Sequence, residues 1–289
     1  MRAHAKPAPV RPAANLAWIN GAAGRHVDWR DRGLQYGDGL FETMRVRAGR
    51  IRLLDYHLER LYDGCRRLSI RAPRPPSLRR ELELRAKPHA DAVLKLMLTR
   101  GSGTRGYRPN GRERCTRVLS MSEPPHFAVS QTSQRVRMCA TPVGSNPALA
   151  GLKTLSRLDS VLARSEWNDE RIWEGLMRDI DGDLVCGTMS NLFVLRGSTL
   201  TTPVLDRSGI AGVMRRWVLE QAPELRLRPR EGRLTVQHLQ DATEVFMTNA
   251  VAGIVSVSVI EIGRRRLRIE STSAGARLRA RLGQPSGST

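Results

Sequence analysis

Apolar residues recur along this chain with two periods, one helical and one extended, and their succession predicts a mixed α/β order. Residues 16–20 and 41–47 read as strands, and Ala48-Gly49 folds the second back on Ile51–Leu54 as a hairpin. Asp55 then stands where a helix N-cap belongs. Leu58, Leu61, Tyr62, Cys65 and Leu68 follow at helical spacing, which predicts an amphipathic helix over 56–69. Pro73, Pro75 and Pro76 break the pattern before a second helix at 77–86. Strands at 92–99 and 116–122 flank a loop rich in glycine and arginine.

Pro124-Pro125 and the polar residues after them mark 124–133 as a linker. Beyond it the pattern predicts a strand at 136–142 and a helix at 154–167, with Leu155, Leu158, Leu162 and Ser165 on one face. A hairpin turns at Asp181-Gly182, between strands at 176–180 and 184–186. Strands at 192–196 and 199–202 lead to a glycine-flanked helix start at 209–213, and strands at 244–248 and 254–261 close the series. The expected organisation is an N-terminal α/β domain over 15–123 and a C-terminal domain over 134–270. Flexible tails are expected at 1–14 and 271–289. No internal repeat is visible.

Composition narrows the function classes. With 289 residues, 40% of them hydrophobic, the chain can bury a core, which excludes wholesale disorder. No apolar run approaches the roughly 18 residues of a membrane span, and residues 1–15 lack a signal-like apolar stretch. The four cysteines, Cys65, Cys115, Cys139 and Cys186, lie far apart, and the six histidines are scattered. Neither a disulfide framework nor a metal site is expected, and a cytoplasmic setting fits. The net charge of +20 attracts anions. Its arginines are spread along the whole chain without a helix-turn-helix, RNP-like or zinc-knuckle motif. A small anionic substrate is therefore expected, and specific nucleic-acid binding is not.

Of 48 basic residues only four are lysines: Lys6, Lys87, Lys95 and Lys153. An amine becomes nucleophilic when burial or a neighbouring cation deprotonates part of it. Lys6 falls in the tail, Lys87 precedes Pro88 in a loop, and Lys95 alternates with apolar neighbours as an outward-pointing cation. Lys153 differs, since it follows Gly151-Leu152 at the junction of an irregular segment and a helix. Asp31–Gly39 and Thr99–Tyr107 are also dense in glycine and charge, and Gly209–Met214 opens a helix whose free amides suit a phosphate. None of these is a dinucleotide fingerprint.

In this order the segments resemble pyridoxal-phosphate enzymes of fold type IV and, among them, the aminodeoxychorismate lyases. The resemblance runs from Trp18 to Val259. Asp31-Arg-Gly-x-x-Tyr-Gly-Asp-Gly-Leu-Phe-Glu-Thr, His57-Leu-Glu-Arg-Leu and Thr99-Arg-Gly-x-Gly-x-Arg-Gly-Tyr carry it first. Gly151-Leu-Lys-Thr-Leu-Ser-Arg-Leu, Ser190-Asn-Leu-Phe, Thr202-Pro and Gly209-x-x-Gly-Val-x-Arg carry it further.

The resemblance implies an α/β (α+β) fold of two domains, the larger C-terminal one with a barrel-like sheet, and pyridoxal phosphate between them. Lys153 would bear the cofactor and move protons, and Arg60 would pair with its phosphate. The amides of Val213 and Met214, with Thr248 and Asn249, would complete the phosphate cup, and Ile210 would pack on the pyridine ring. Arg105 and Tyr107 would reach a substrate carboxylate, in the neighbouring subunit of a homodimer. Cys186 stands where the family carries a glutamate bonded to the pyridine nitrogen, and a thiol is a weak donor and acceptor. The implied reaction converts 4-amino-4-deoxychorismate to 4-aminobenzoate and pyruvate, for folate precursors. Aminotransfer on branched-chain or D-amino acids is the alternative.

Overall fold

The structure, a computed structural model, describes residues 16–125 and 133–283. The tail expected over 1–14, and the linker over 124–133 apart from its edges, lie outside the described residues. In the N-terminal half, β1 (Leu16–Ile19), β2 (Ala22–Ala23), β3 (Gly39–Arg47), β4 (Arg50–Ile51), β5 (Asp91–Thr99) and β6 (Thr116–Ser122) form one sheet. Its order is β2-β1-β6-β5-β3-β4, with every pairing antiparallel. The alternation of β3 buries Leu40, Met44 and Val46 against α2 (Leu54–Arg67) and α3 (Pro75–Ala86), where Leu58, Leu61, Cys65, Leu78 and Leu82 meet them. A short α1 (Arg32–Tyr36), capped by the Asp31 side chain on the Gly33 amide, occupies the glycine-rich segment before β3.

Three local expectations are corrected here. Asp55 is not the N-cap of α2; Leu53, in the left-handed region at φ 55, precedes the helix, and Asp55 lies in its first turn. There its charge favours the free amides of the helix start. Pro75 and Pro76 begin α3 instead of preceding it, since a first-turn proline has no amide that the helix would use. The chain from Thr154 to Arg157 is irregular, with an isolated bridge to Leu40 at Thr154, so the expected 154–167 helix shrinks to α4 (Leu158–Arg164).

The C-terminal half is a curled sheet. Its strands are β7 (Gln134–Met138), β8 (Ile172–Arg178), β9 (Leu184–Gly187), β10 (Asn191–Arg196), β11 (Thr199–Pro203), β12 (Arg228–Gly232), β13 (Glu244–Asn249), β14 (Gly253–Ile262) and β15 (Arg265–Arg268). They follow the order β12-β11-β10-β13-β14-β7-β8-β9, with β15 also paired to β14. Leu184 of β9 bridges Leu234, just past β12, which brings the two ends of the sheet together as a partial barrel. Leu176, Leu192, Val194, Val245, Met247 and Val257 fill it. The strand expected over 136–142 ends at Met138 because the Glu166 carboxylate takes the next amides, Ala140 at 2.9 Å and Thr141 at 2.8 Å. Outside the sheet pack α5 (Val213–Gln221) and α6 (Val236–Gln240).

The segment from Ser271, expected as a flexible tail, instead contains α7 (Ser273–Leu282). Small residues let it approach closely: Ala274, Gly275 and Leu278 are buried, and Leu278 joins Phe193 and Phe246 in a second core. Glu244, fully buried at the start of β13, accepts the Ala274 amide at 2.8 Å and the Gly275 amide at 2.7 Å. Replacing Glu244 with alanine leaves those amides without acceptors, so Glu244→Ala is expected to cost about 1–3 kcal/mol. Urea denaturation measures this, and a variant within error of wild type contradicts the capping role.

Candidate active site

Lys153 lies on a stretch of backbone stitched to both halves. Phe41 N donates to Lys153 O at 2.9 Å and Leu155 N to Gly39 O at 3.0 Å, which adds the stretch to the start of β3. On the other side Gly151 N donates to Gly209 O, and Ala211 N to Gly151 O, both at 3.0 Å. Gly151 takes φ +81 to make the crossing, a conformation that a residue with a side chain rarely adopts. The Lys153 amine, Nζ, then lies 4.2 Å from the centre of the Phe41 ring. Lys95 Nζ lies 5.4 Å from the same ring, so this exposed cation, expected as a plain surface residue, stands beside the site.

The amine has cationic surroundings. Burial drives Lys153 down to about 7, Arg60, Arg157 and Lys95 push the same way, and Glu42 opposes them. Glu42 occupies the buried face of β3 between Leu40 and Met44, where an unpaired carboxylate would be costly. It accepts from Arg60 Nε at 2.9 Å and lies 2.6 Å from His57 Nδ1. Burial raises the Glu42 carboxyl, but Arg60 and His57 outweigh it and hold it at about 2. Burial moves His57 the other way, below its ordinary value. Sequence reasoning missed both residues, although a glutamate inside an apolar alternation was a visible signal.

Several residues expected to hold an anion lie around the start of α5. Val213 and Met214 head that helix without a side-chain cap, so their amides are free. Arg60 is fixed at the rim by Glu42 and by its Nη1 bond to Ala211 O at 2.9 Å, with further N–H groups to spare. Thr248 is fully buried, and its Oγ1 has no hydrogen-bond partner. Asn191, paired with Thr248 across β10 and β13, donates from Nδ2 to Ile210 O at 2.8 Å. A Cβ at Gly212 would lie 2.0 Å from Asn191 Oδ1, so only glycine fits that approach. Asn249 plays a supporting part: its Oδ1 accepts the amides of Val251 at 3.0 Å and Ala252 at 2.7 Å, shaping the turn after the cup.

Cys186 faces Met177 in the β8–β9 ladder, and burial, helped by Glu174, pushes its thiol up to about 12. Glu174 is an acid that sequence reasoning did not single out. It is fully buried, and its carboxylate accepts Thr188 Oγ1 and Ser190 Oγ at 2.6 Å, together with the amides of Gly175, Thr188 and Met189. It holds the 188–190 turn and has no acceptor left to offer. Asp183 turns away to form an ion pair with the Arg233 side chain, at 3.8 Å. Arg105 and Tyr107 are exposed, Tyr107 to 84%, and their loop is held by Arg32, which donates to the carbonyls of Gly106 and Tyr107. No contact joins either residue to Lys153 among the described residues.

Two hollows compete as sites. One of about 450 Å³ lies between Met138–Ala140 and Glu261–Gly263, where the nucleophile, Cys139, is held neutral at about 12 by burial. The other, about 310 Å³, opens beside the cup, with Arg60, Gly212 and Val213 on its walls. The smaller one is lined by Gly151 and Leu152, just before Lys153, and by Gly212 and Val213 at the start of α5, so the chemistry favours it.

Comparisons with known proteins show the family. A profile of the class IV amino-transferases matches residues 39–260. An aminodeoxychorismate lyase of Vibrio harveyi is 32% identical over 254 residues, 87% of this chain and 94% of that one. A putative branched-chain-amino-acid aminotransferase of Methanocaldococcus jannaschii is 34% identical over 238 residues, 80% of this chain and 81% of that one. The crystal structure of 4-amino-4-deoxychorismate lyase from Pseudomonas aeruginosa superposes with a TM-score of 0.84 at 41% identity, covering 92% of this chain and 98% of that one.

The amine itself can be tested without any ligand. An acylating reagent is expected to modify Lys153 with a rate midpoint near pH 7, against the ordinary 10.5 for a lysine. Peptide mapping by mass spectrometry across pH 6–11 reads this, and a midpoint near the ordinary 10.5 would contradict it.

Proposed function

The chain belongs to the class IV amino-transferase family, and from that premise we propose that it is a pyridoxal-phosphate-dependent lyase. It would convert 4-amino-4-deoxychorismate to 4-aminobenzoate and pyruvate, supplying folate precursors. The residues present fit the cofactor. Thr248 Oγ1 is a buried hydroxyl without a partner on the strand next to Asn191, which reaches Ile210; the Val213 and Met214 amides are free, and Arg60 has N–H groups to spare. Together they would hold the phosphate. Lys153 would bear the cofactor, Ile210 would pack on its ring, and Cys186 would lie towards the ring nitrogen. Bound there, pyridoxal phosphate withdraws electron density from the carbon that carries the substrate amine.

The proton work falls to Lys153. With a value of about 7, its Nζ is half neutral at pH 7 and can accept the proton from C4 of the substrate. The C3–O bond breaks as the ring becomes aromatic. The departing enolpyruvate takes a proton on its methylene carbon and becomes pyruvate, so the atoms balance without oxidation or reduction. Arg60, Lys95 and Arg157 surround the amine with positive charge, which suits a substrate bearing two carboxylates.

A homodimer in a cytoplasmic setting completes the reading. The exposed Leu158, Val161 and Leu162 form an apolar stripe on α4 that a second copy would cover. The exposed Arg105–Tyr107 loop would then serve the neighbouring site. The four free cysteines suit a reducing compartment.

The observation that carries the proposal is the Lys153 stretch, bonded both to β3 and to the segment before α5, whose start offers free amides beside the Arg60 guanidinium. Incubation with 4-amino-4-deoxychorismate is expected to release 4-aminobenzoate and pyruvate in equal amounts, and Lys153→Ala to lower the rate at least about a hundredfold. Glutamate formed from D- or branched L-amino acids and 2-oxoglutarate, with no 4-aminobenzoate, would show an aminotransferase instead. Sedimentation is expected at twice the 32.3 kDa chain mass, and an active monomer would refute the dimer.

A further inference from the structure

The hollow of about 450 Å³ between Met138–Ala140 and Glu261–Gly263 lies where three strands part. β7 and β14 run side by side only as far as the pair Arg137 and Glu261. β7 then stops, because Glu166 takes the Ala140 and Thr141 amides, while β14 continues to Ile262 and turns at Gly263, φ +59. The chain beyond β7 returns to β8 twice, Cys139 N donating to Leu176 O and Val143 N to Arg178 O, both at 2.8 Å. Residues 139–143 thus span what β8 covers from 176 to 178. The excess chain cannot lie in the sheet, and the gap it leaves is the hollow.

Its surroundings are basic, and the nearby acids are engaged. Arg137 lines the hollow, donates to Glu166 O at 2.9 Å and lies 3.5 Å from the Glu166 carboxylate. Glu261 also lines it and lies 3.4 Å from Arg266 and 3.8 Å from Arg135. On that face of the sheet Arg266 and Arg137 flank Glu261, and Arg268 and Arg135 flank Val259, so four arginines surround one carboxylate. Arg178 is the exception among the lining arginines. It is half-buried at the end of β8, and among the described residues its side chain has neither an acid nor a hydrogen-bond acceptor. Arg264 and Arg265, which follow Gly263, are exposed and equally unpaired. A concave site with spare guanidinium forks favours a ligand that brings its own anionic acceptors.

We propose that this hollow is a second ligand site, which takes a small molecule carrying two or more phosphate or carboxylate groups. It shares no lining residue with the hollow at the start of α5. Its volume suits a small molecule, whose sites span roughly 300–1,000 Å³, and not a nucleic-acid duplex or a folded domain. One anionic group meets the unpaired Arg178 fork, and a second is drawn to the arginines after Gly263. Arg137 and Glu261 keep their present partners, while Met138 and Ile262 give the ligand's frame an apolar wall. Once filled, the site ties the end of β8 to the β14–β15 turn across the gap where β7 gives out.

Titration calorimetry on the full chain, with one equivalent of pyridoxal phosphate present, tests this. The probes are inorganic pyrophosphate and citrate, whose two arms separate phosphate from carboxylate chemistry. Saturable binding of at least one of them, one per chain, is expected. Arg178→Gln should weaken it roughly tenfold. Arg50→Gln removes the same charge from exposed β4 in the other half and should change it by less than about twofold. Ala140→Phe keeps every charge but fills the hollow, and should abolish binding; it decides the matter if Arg178→Gln does not fold. Equal losses in Arg178→Gln and Arg50→Gln would show only the general pull of a chain of charge +20, and would overturn the site. Undiminished binding by folded Ala140→Phe, or no saturable binding of either probe, would overturn it too.

Discussion

Four backbone hydrogen bonds on either side of Lys153 hold the molecule in its working form. Two join the stretch to Gly39 and Phe41 at the start of β3, and two join it to Gly209 and Ala211 before α5. The amine therefore does not hang from one half over the other; it belongs to both. The anion cup depends on the same stitching, because Arg60 reaches it from α2 while the free amides come from α5. A shift of the halves would separate the amine from the cup and remove the burial that keeps the amine half neutral.

Charge around this seam is lopsided, and the imbalance has a use. Arg60, Arg157 and Lys95 act on one lysine, against a single nearby carboxylate, Glu42. Such crowding would be costly in a site without a ligand, and Glu42 limits the cost by taking up Arg60 and His57 together. The remaining positive field favours exactly the molecules with several negative groups and keeps the amine reactive near neutral pH. Scarcity helps as well: with four lysines in the chain, few other amines compete for an aldehyde.

Much of this was legible in the sequence, and the failures have physical causes. Lys153 stood out because it was a lysine at a junction in a chain that otherwise uses arginine. The free amides at the start of α5 were legible from glycines before a helix. Glu42 carried a signal in the break of the Leu40–Glu42–Met44 alternation, yet its partners His57 and Arg60 come from a helix, and periodicity cannot pair elements. The helix expected after Lys153 failed because backbone bonding to Gly39 and Phe41 overrides local spacing. The last helix was hidden by composition. Serine, glycine and alanine look like a tail until a buried acid, Glu244, is found to need their amides. Glu174 could not be matched to its turn, because five donors from four residues converge on it only in three dimensions.

That turn has a consequence for motion. Residues 188–190 are a loop by their chain position, and loops usually fluctuate open and let their amides exchange with solvent. Opening this one would strip a buried carboxylate of most of its donors while leaving it walled in by β8. The loop therefore has no cheap partial opening, and the Thr188 and Met189 amides should exchange with deuterium only as slowly as the sheet beneath them. A surface turn and a barrel strand thus behave as one cooperative unit, and rigidity beside Cys186 comes from the acid behind it.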